Sequence, residues 1–190
     1  MKVLVTGAGG FVGGVVSGAF AQNGIDVLAL YRKTRPDHLS VYQNVSLIQL
    51  DLLQCEEVPE PFDCLIHCAA EQPETTEEAD MVRNNIEGTK KLFMATIDAK
   101  VQNIIYLSSR AVYGTVQVKI IDEKTPLNEP DAYGQSKYQP EKLLQELVTQ
   151  TANLSGMTIR LSTMLGLGAH DNFIADVFQK ILYDQPIQVK

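Results

Sequence analysis

A tyrosine and a lysine four positions apart are the residues of this chain best suited to acid–base chemistry. They begin and end the run Tyr133-Gly134-Gln135-Ser136-Lys137, and residues four apart lie on one face of a helix. A tyrosine phenol has a pKa near 10, so lowering it to about 7 requires about 4 kcal/mol of phenolate stabilisation. A neighbouring ammonium in a partly dry cleft can supply that energy. The pair predicts a proton-transfer site, although a helix can also carry this spacing by chance.

A glycine-rich segment follows the first apolar run and precedes a helical pattern. Glycines 7, 10 and 13 have the spacing Gly-x-x-Gly-x-x-Gly. Between a strand and a helix, the first glycine makes a sharp turn, the second admits a pyrophosphate to bare backbone, and the third lets helix and strand pack closely. The phosphates would then lie at the positive end of the helix. The segment predicts a dinucleotide site formed by Gly7, Gly10, Phe11, Val12 and Gly13.

The end of the second predicted strand bears on which nicotinamide cofactor would bind. An acid at this place would accept hydrogen bonds from the adenosine ribose, but the chain has Tyr31 followed by Arg32 and Lys33. Two cations where a 2′-phosphate would lie favour NADP(H) over NAD. The alternative is that both cations belong to a solvated strand end. Asp51 ends the third strand, where its carboxylate could accept a hydrogen bond from the adenine amino group or could begin a loop.

Apolar runs of strand length alternate with segments of helical period, which is typical of an α/β fold with a parallel, doubly wound sheet. We expect one Rossmann-like domain over residues 1–190, since we find no repeat and no interdomain linker. Strands are predicted at residues 2–6, 26–31, 45–50, 62–68, 103–108 and 158–161, and helices at about 11–23, 77–100, 131–151 and 171–183.

Composition and charge exclude several classes of partner. The chain has 45% hydrophobic and 21% charged residues and a formal net charge of −7, and no basic run offsets this excess of acid. We therefore expect neither nucleic acid nor an anionic membrane surface as a main partner. Three cysteines at 55, 64 and 68 are interpreted as reduced core or near-core residues rather than metal ligands or a disulfide. The absence of a leader pattern or an apolar span predicts a cytoplasmic location.

Several motifs in this order resemble the extended short-chain dehydrogenase/reductase family, which contains nucleotide-sugar epimerases and dehydratases and the dihydroflavonol-type reductases. The similarity covers nearly the whole chain. The matching residues are the glycine segment 7–13, Asp51-Leu52, His67-Cys68-Ala69-Ala70, Asn85 with Gly88-Thr89, Ser108-Ser109 before Val112-Tyr113-Gly114, Tyr133 to Lys137 with Glu141, and Ile159-Arg160.

The resemblance implies a catalytic role for three residues. Tyr133 would be the general acid/base, and Lys137 would hold the nicotinamide ribose and favour the phenolate. Ser109 would hydrogen-bond the substrate oxygen; it is chosen over Ser108 because it stands three positions before Val112.

The resemblance also implies supporting roles around the cofactor. Asp51, Leu52, Ala69 and Ala70 would lie along the dinucleotide. Asn85 would brace the central helix. His67 matches a structural position of the family, so a satisfied near-core histidine is the preferred interpretation.

The expected function follows from the same resemblance. The leading expectation is an NADP(H)-linked oxidoreductase that acts on a carbonyl or hydroxyl group of a small molecule. A nucleotide-sugar epimerase or dehydratase with bound NAD is the second, and a non-catalytic dinucleotide sensor is the third. Enzymes of this family usually continue into a C-terminal substrate lobe, so the chain is expected to be part of a longer enzyme. The two long helices would form a homodimer, for which Leu143, Leu144 and Leu147 would suit either the subunit face or the internal face.

Overall fold

A single parallel sheet forms the centre of the fold. The computed structural model describes residues 1–73, 76–166, 177 and 180–186. Its strands are β1 (Lys2–Thr6), β2 (Asp26–Tyr31), β3 (Val45–Gln49), β4 (Cys64–His67), β5 (Asn103–Ser109) and β6 (Ser155–Leu161). They are all parallel and lie in the order β3-β2-β1-β4-β5-β6. The prediction of a doubly wound, Rossmann-like α/β fold is therefore confirmed.

Four α-helices in the described part of the chain cover the sheet and connect β1 to β2, β4 to β5 and β5 to β6. They are α1 (Phe11–Gln22), α2 (Glu78–Arg83), α3 (Thr89–Asp98) and α4 (Ala132–Gln150). A π-helical turn, Asn84–Gly88, joins α2 to α3, so the long helix predicted from residue 77 to residue 100 is continuous but changes its hydrogen-bonding pattern midway. The helix predicted at 171–183 falls mostly outside the described residues.

The sheet has one apolar cluster on each face. Alternate residues of a strand point to opposite sides, so Leu4 of β1 belongs to one cluster and Val3 and Val5 to the other. The Leu4 cluster includes Phe93 of α3. The other includes Ala21 of α1. Burial on both faces explains why β1, β2 and β4 read as continuous apolar runs rather than as alternating ones.

The leucines of α4 belong to the first of these clusters. Leu144 and Leu147 are 2% and 8% exposed, and the partly buried Leu143 packs against the same core. They therefore cover the sheet, which is the internal alternative for these residues. These leucines therefore give no support to the predicted dimer, which stays a prediction.

The other sequence expectations for the fold can be placed directly. Cys55 is buried, and Cys64 and Cys68 are half-buried; all three are free thiols, as predicted. The sixth strand begins at Ser155, three residues before its predicted start. Within the part of the chain that the structure describes, no helix is both long enough and apolar enough to cross a bilayer.

The strand order places a crevice beside the end of β1. The chain winds from β1 outward to β3 in one direction and returns through β4 to β6 in the other. Ligands of open parallel sheets bind where this reversal separates the connections, at the carboxyl ends of the strands. The ends of β1 and β4 are neighbours in the sheet, with Thr6 opposite His67, so the site is expected there.

Candidate active site

A cleft of ≈ 1670 Å³ runs along the carboxyl edge of the sheet. It extends from the ends of β2 and β3, across the glycine turn after β1, to the end of β5 and the first turns of α4. All the residues predicted as site residues line it: Gly7, Gly10, Phe11, Val12, Gly13, Arg32, Asp51, Leu52, Ala69, Ala70, Ser109, Tyr133 and Lys137.

On one side the glycine turn packs closely against other backbone, and on the other side it lines the cleft. Gly7 has a φ of +70°, and a Cβ on it would lie 2.8 Å from the backbone of Ala69. A Cβ on Gly13 would lie 2.3 Å from the Gly7 carbonyl oxygen. Gly10, at the start of α1, provides no side-chain cap, so amide groups of the first turn are left for another acceptor. An uncapped helix start on the cleft is suited to a pyrophosphate, and the turn therefore fits a dinucleotide.

Tyr133 lies in the first turn of α4, at the opposite end of the cleft from β2. The carboxylate of Asp131 begins this helix by accepting a hydrogen bond of 2.7 Å from the Gly134 amide. Tyr133 is half-buried, and its hydroxyl accepts a hydrogen bond of 3.2 Å from the Gln72 amide. Gln72 comes from the segment after β4, and Tyr133 lines the cleft.

Lys137 is one turn further along α4 and is almost completely buried, at 3% exposed. Its amine lies 4.6 Å from the ring centre of Tyr106. Burial lowers the pKa of this amine to about 8, while the nearby Cys68 and Glu141 side chains act in the opposite direction. A buried cation therefore lies on the same helix face as the phenol, with a pKa close to neutrality.

An ion pair supports α4 behind Lys137. Glu141 accepts three hydrogen bonds of 2.6 to 3.2 Å from the guanidinium of Arg160 on β6. The Arg160 guanidinium also lies over the Tyr113 ring, 4.7 Å from its centre. The hydrogen bonds to Glu141 raise the pKa of Arg160. Since Glu141 is buried, this pairing removes the cost of an isolated carboxylate in the core.

The two serines at the end of β5 differ in environment. Ser108 is 4% exposed, and its hydroxyl has no hydrogen-bond partner among the described residues. Ser109 is half-buried, and its hydroxyl accepts a hydrogen bond of 3.1 Å from the Ala111 amide. That bond leaves the Ser109 proton free to be donated, which is compatible with the predicted contact to a substrate oxygen.

His67 is a structural histidine, as the sequence interpretation held. It is completely buried, with Nδ1 2.6 Å from the Thr6 hydroxyl and Nε2 2.8 Å from the Thr89 hydroxyl. Its ring stacks on Tyr106, with the centres 5.5 Å apart. Burial, assisted by the charge of Lys137, lowers the pKa of His67 to about 3. The ring is therefore neutral at physiological pH and does not exchange protons with the cleft.

Asn85 connects the segment after β4 to α4. Its Oδ1 accepts a hydrogen bond of 2.7 Å from the Glu71 amide. Its Nδ2 donates to the Glu71 carbonyl at 3.1 Å and to the Ser136 hydroxyl at 3.0 Å. The sequence analysis predicted that Asn85 braces the central helix. Its hydrogen bonds hold α4 through Ser136 and, in addition, the cleft segment through Glu71.

At the adenosine end, two residues predicted to contact the cofactor have partners within the protein that the sequence did not reveal. The Asp51 carboxylate accepts a hydrogen bond of 2.9 Å from the Leu53 amide. This is the contact expected if Asp51 begins a loop, the second of the two roles considered for it. Arg32 forms an ion pair with Glu71. The predicted preference for NADP(H) depended on a guanidinium that could reach a 2′-phosphate, and that guanidinium already has a carboxylate partner.

Comparison with known proteins places these features in one family. A sequence model described as "NAD dependent epimerase/dehydratase family" matches residues 3–190. UDP-glucose 4-epimerase from Lactobacillus helveticus is 31% identical over 76% of this chain and 46% of that protein. A ketoreductase of a farnesyl-dihydroquinoline oxide from Stigmatella aurantiaca is 30% identical over 76% of this chain and 45% of that protein.

A solved structure agrees in fold. The structure described as "MoeE5 in complex with UDP-glucose and NAD" superposes with a TM-score of 0.83 at 27% identity, covering 98% of this chain and 63% of that one. The chain spans about half the length of the curated relatives it matches.

Proposed function

We propose that this chain, which belongs to the NAD-dependent epimerase/dehydratase family, binds NAD and supports hydride transfer at a hydroxyl-bearing carbon of a nucleotide sugar. The observation that carries the proposal is the shared cleft. One end has the uncapped glycine turn, and the other has the Tyr133 phenol and the buried Lys137 amine. NAD supplies the acceptor and donor of the hydride when it is bound.

The residues of the chain would handle the proton and the orientation of the substrate. Tyr133 would take the proton of the substrate hydroxyl through its phenol oxygen and return it when the carbonyl is reduced. Lys137, held at the same helix face, would favour the phenolate form. Ser109, whose own proton is free for donation, would hold the substrate oxygen within reach of Tyr133. Positioning of this kind supplies much of the rate of such reactions.

The epimerase hypothesis now stands before the reductase hypothesis, in the reverse of the order expected from sequence. UDP-glucose 4-epimerases recur among the relatives, and the family description refers to NAD. An epimerase inverts a carbon by removing a hydride and returning it from the other side, so it does not consume its cofactor.

The reductase hypothesis is the second candidate. It is supported by the ketoreductase relative, which is as similar to this chain as several of the epimerases. The non-catalytic sensor is disfavoured by a Tyr133–Lys137 arrangement that a binding module would not need. A protein that binds NAD but shows no turnover would support the sensor.

An interconversion assay separates these hypotheses. The protein would be incubated with UDP-glucose or UDP-galactose and a trace of NAD+, and the two sugars would be followed by NMR while the absorbance of NADH is recorded. An epimerase produces the second sugar with no net NADH. A parallel reaction would contain NADH and a ketone substrate. Stoichiometric consumption of NADH there, with no interconversion of the sugars, would establish the reductase instead.

A homodimer and a cytoplasmic location are proposed as well, as properties expected of the family. Since the leucines of α4 are internal, a subunit contact through the long helices would have to use other residues of α2, α3 and α4. Sedimentation equilibrium at micromolar concentration measures the oligomeric state, and a monomer would exclude the dimer.

A further inference from the structure

An ion pair crosses the cleft at its adenosine end. Arg32 directly follows β2, and Glu71 lies four residues after the end of β4. These strands are the two neighbours of β1, so they are about 10 Å apart. The pair therefore bridges the end of β1, where the glycine turn begins, and both side chains line the cleft.

The Glu71 carboxylate is held in place from several directions. Asn85 binds both the amide and the carbonyl of Glu71. One carboxylate oxygen accepts a hydrogen bond of 2.9 Å from the Thr76 hydroxyl, and the other contacts the Asn84 amide at 3.5 Å. With its side chain only 15% exposed, Glu71 is a fixed partner for Arg32 rather than a surface side chain that happens to be near.

We propose that Glu71 determines cofactor specificity by occupying the guanidinium of Arg32, so that the cleft selects NAD over NADP. A guanidinium binds a phosphate through paired charge-assisted hydrogen bonds. Here a carboxylate takes that role, and a 2′-phosphate would have to displace it and remain close to a negative charge. The ribose diol of NAD carries no charge and needs no such displacement.

The other cations at this strand end do not replace Arg32. Arg35 pairs with Asp37 at 2.9 Å and contacts the Tyr31 hydroxyl at 3.5 Å. Lys33 is exposed, where a contact to phosphate is weakened by water and salt. The inference rests on the proposed binding of NAD in this cleft, and it adds which residues would select NAD over NADP.

Dissociation constants for NAD+ and NADP+ test the proposal without any measurement of turnover. Isothermal titration would be carried out on the wild type, Glu71→Gln, Arg32→Met and the double variant. Glutamine keeps the shape of the side chain and an acceptor for Thr76 but removes the charge. Glu87→Gln is the matched control, because it also breaks a Glu–Arg pair, with Arg83 at 3.4 Å, at a residue that does not line the cleft.

The wild type should bind NAD+ more tightly, and Glu71→Gln should improve NADP+ binding relative to NAD+ by about tenfold or more, which corresponds to about 1.4 kcal/mol. Arg32→Met should remove this gain in the Glu71→Gln background and have little effect on NADP+ binding in the wild type. Glu87→Gln should leave the ratio unchanged.

Three results would overturn the proposal. A ratio that stays within about twofold in Glu71→Gln would show that the carboxylate does not control selection. A gain that survives in the double variant would show that Arg32 is not the group released. If the wild type binds NAD+ but Arg32→Met weakens NADP+ binding equally in the wild type and in Glu71→Gln, the Glu71 carboxylate does not keep Arg32 from the phosphate. Failure of the wild type to bind either dinucleotide would instead refute the proposed function, and this inference with it.

Discussion

Replacing Lys137 by methionine is expected to stabilise the fold at neutral pH while it removes the cation from the cleft. Lys137 is 3% exposed, and burial lowers the pKa of its amine from 10.5 to about 8. The folded state therefore binds this proton more weakly than the unfolded chain does. The difference corresponds to about 3 kcal/mol, at about 1.36 kcal/mol per pKa unit.

The sign of the pH dependence follows from the same values. Below a pH of about 8 the amine is protonated in both states, and the whole cost opposes folding. Between about 8 and 10.5 the unfolded chain keeps the proton and the folded protein does not, so stability rises with pH. Lys137→Met lacks this rise. Its advantage at neutral pH is smaller than the full cost, because the contact of the ammonium with the Tyr106 ring, worth about 1–2 kcal/mol, is lost as well.

Urea unfolding of both proteins at several pH values between neutrality and about 10.5 measures the effect. The free energy of unfolding of the wild type should rise by about 3 kcal/mol relative to Lys137→Met across this window. Lys142→Met is the matched control, since it removes a lysine 5.0 Å from the Tyr138 ring on the same helix and keeps Lys137. A difference between wild type and Lys137→Met that does not change with pH would show that the folded and unfolded states bind this proton equally well.

Two further predictions concern the fold around the cleft. His67 has a pKa of about 3 in the folded protein and 6.5 as its ordinary value, so the unfolded chain binds a proton between these values. Stability should fall by about 1.4 kcal/mol per pH unit as the pH drops through this range, and acid unfolding curves of His67→Gln should lack this contribution. Gly13→Ala places a Cβ 2.3 Å from the Gly7 carbonyl oxygen, so the turn must shift and NAD+ affinity should fall by about tenfold or more. In Gly18→Ala, on the same helix, the nearest atom is a Leu39 methyl at 3.7 Å, and equal losses in both variants would contradict the packing argument.

Sequence patterns predicted the parts of this structure that depend on neighbours along the chain. The strands β1, β2 and β4 are apolar runs with both faces buried, and such runs are recognisable without a structure. The glycine turn and the Tyr133–Lys137 pair depend on spacings of three and four residues. The start of α4 also depends on nearby residues, because the Asp131 carboxylate caps an amide three positions later.

Features set by contacts between distant parts of the chain were missed. The ion pair of Arg32 with Glu71 joins residues 39 positions apart, as their numbers show, and no local pattern indicates it. The π-helical turn at Asn84–Gly88 occurs where Asn85 is held by Glu71 and Ser136, and π-turns are frequent at functional sites. Likewise, the helical spacing of the leucines in α4 cannot by itself decide whether they face the sheet or another subunit.

A comparison of Tyr133→Phe with the wild type tests most directly whether this phenol performs the proton transfer. Phenylalanine keeps the ring and removes only the hydroxyl, and Tyr138→Phe is the control on the same helix. Turnover is expected to fall by about 10²- to 10⁴-fold, while the dissociation constant for NAD+ should change by less than about threefold. A Tyr133→Phe variant that binds NAD+ and keeps most of the wild-type rate would contradict the assignment.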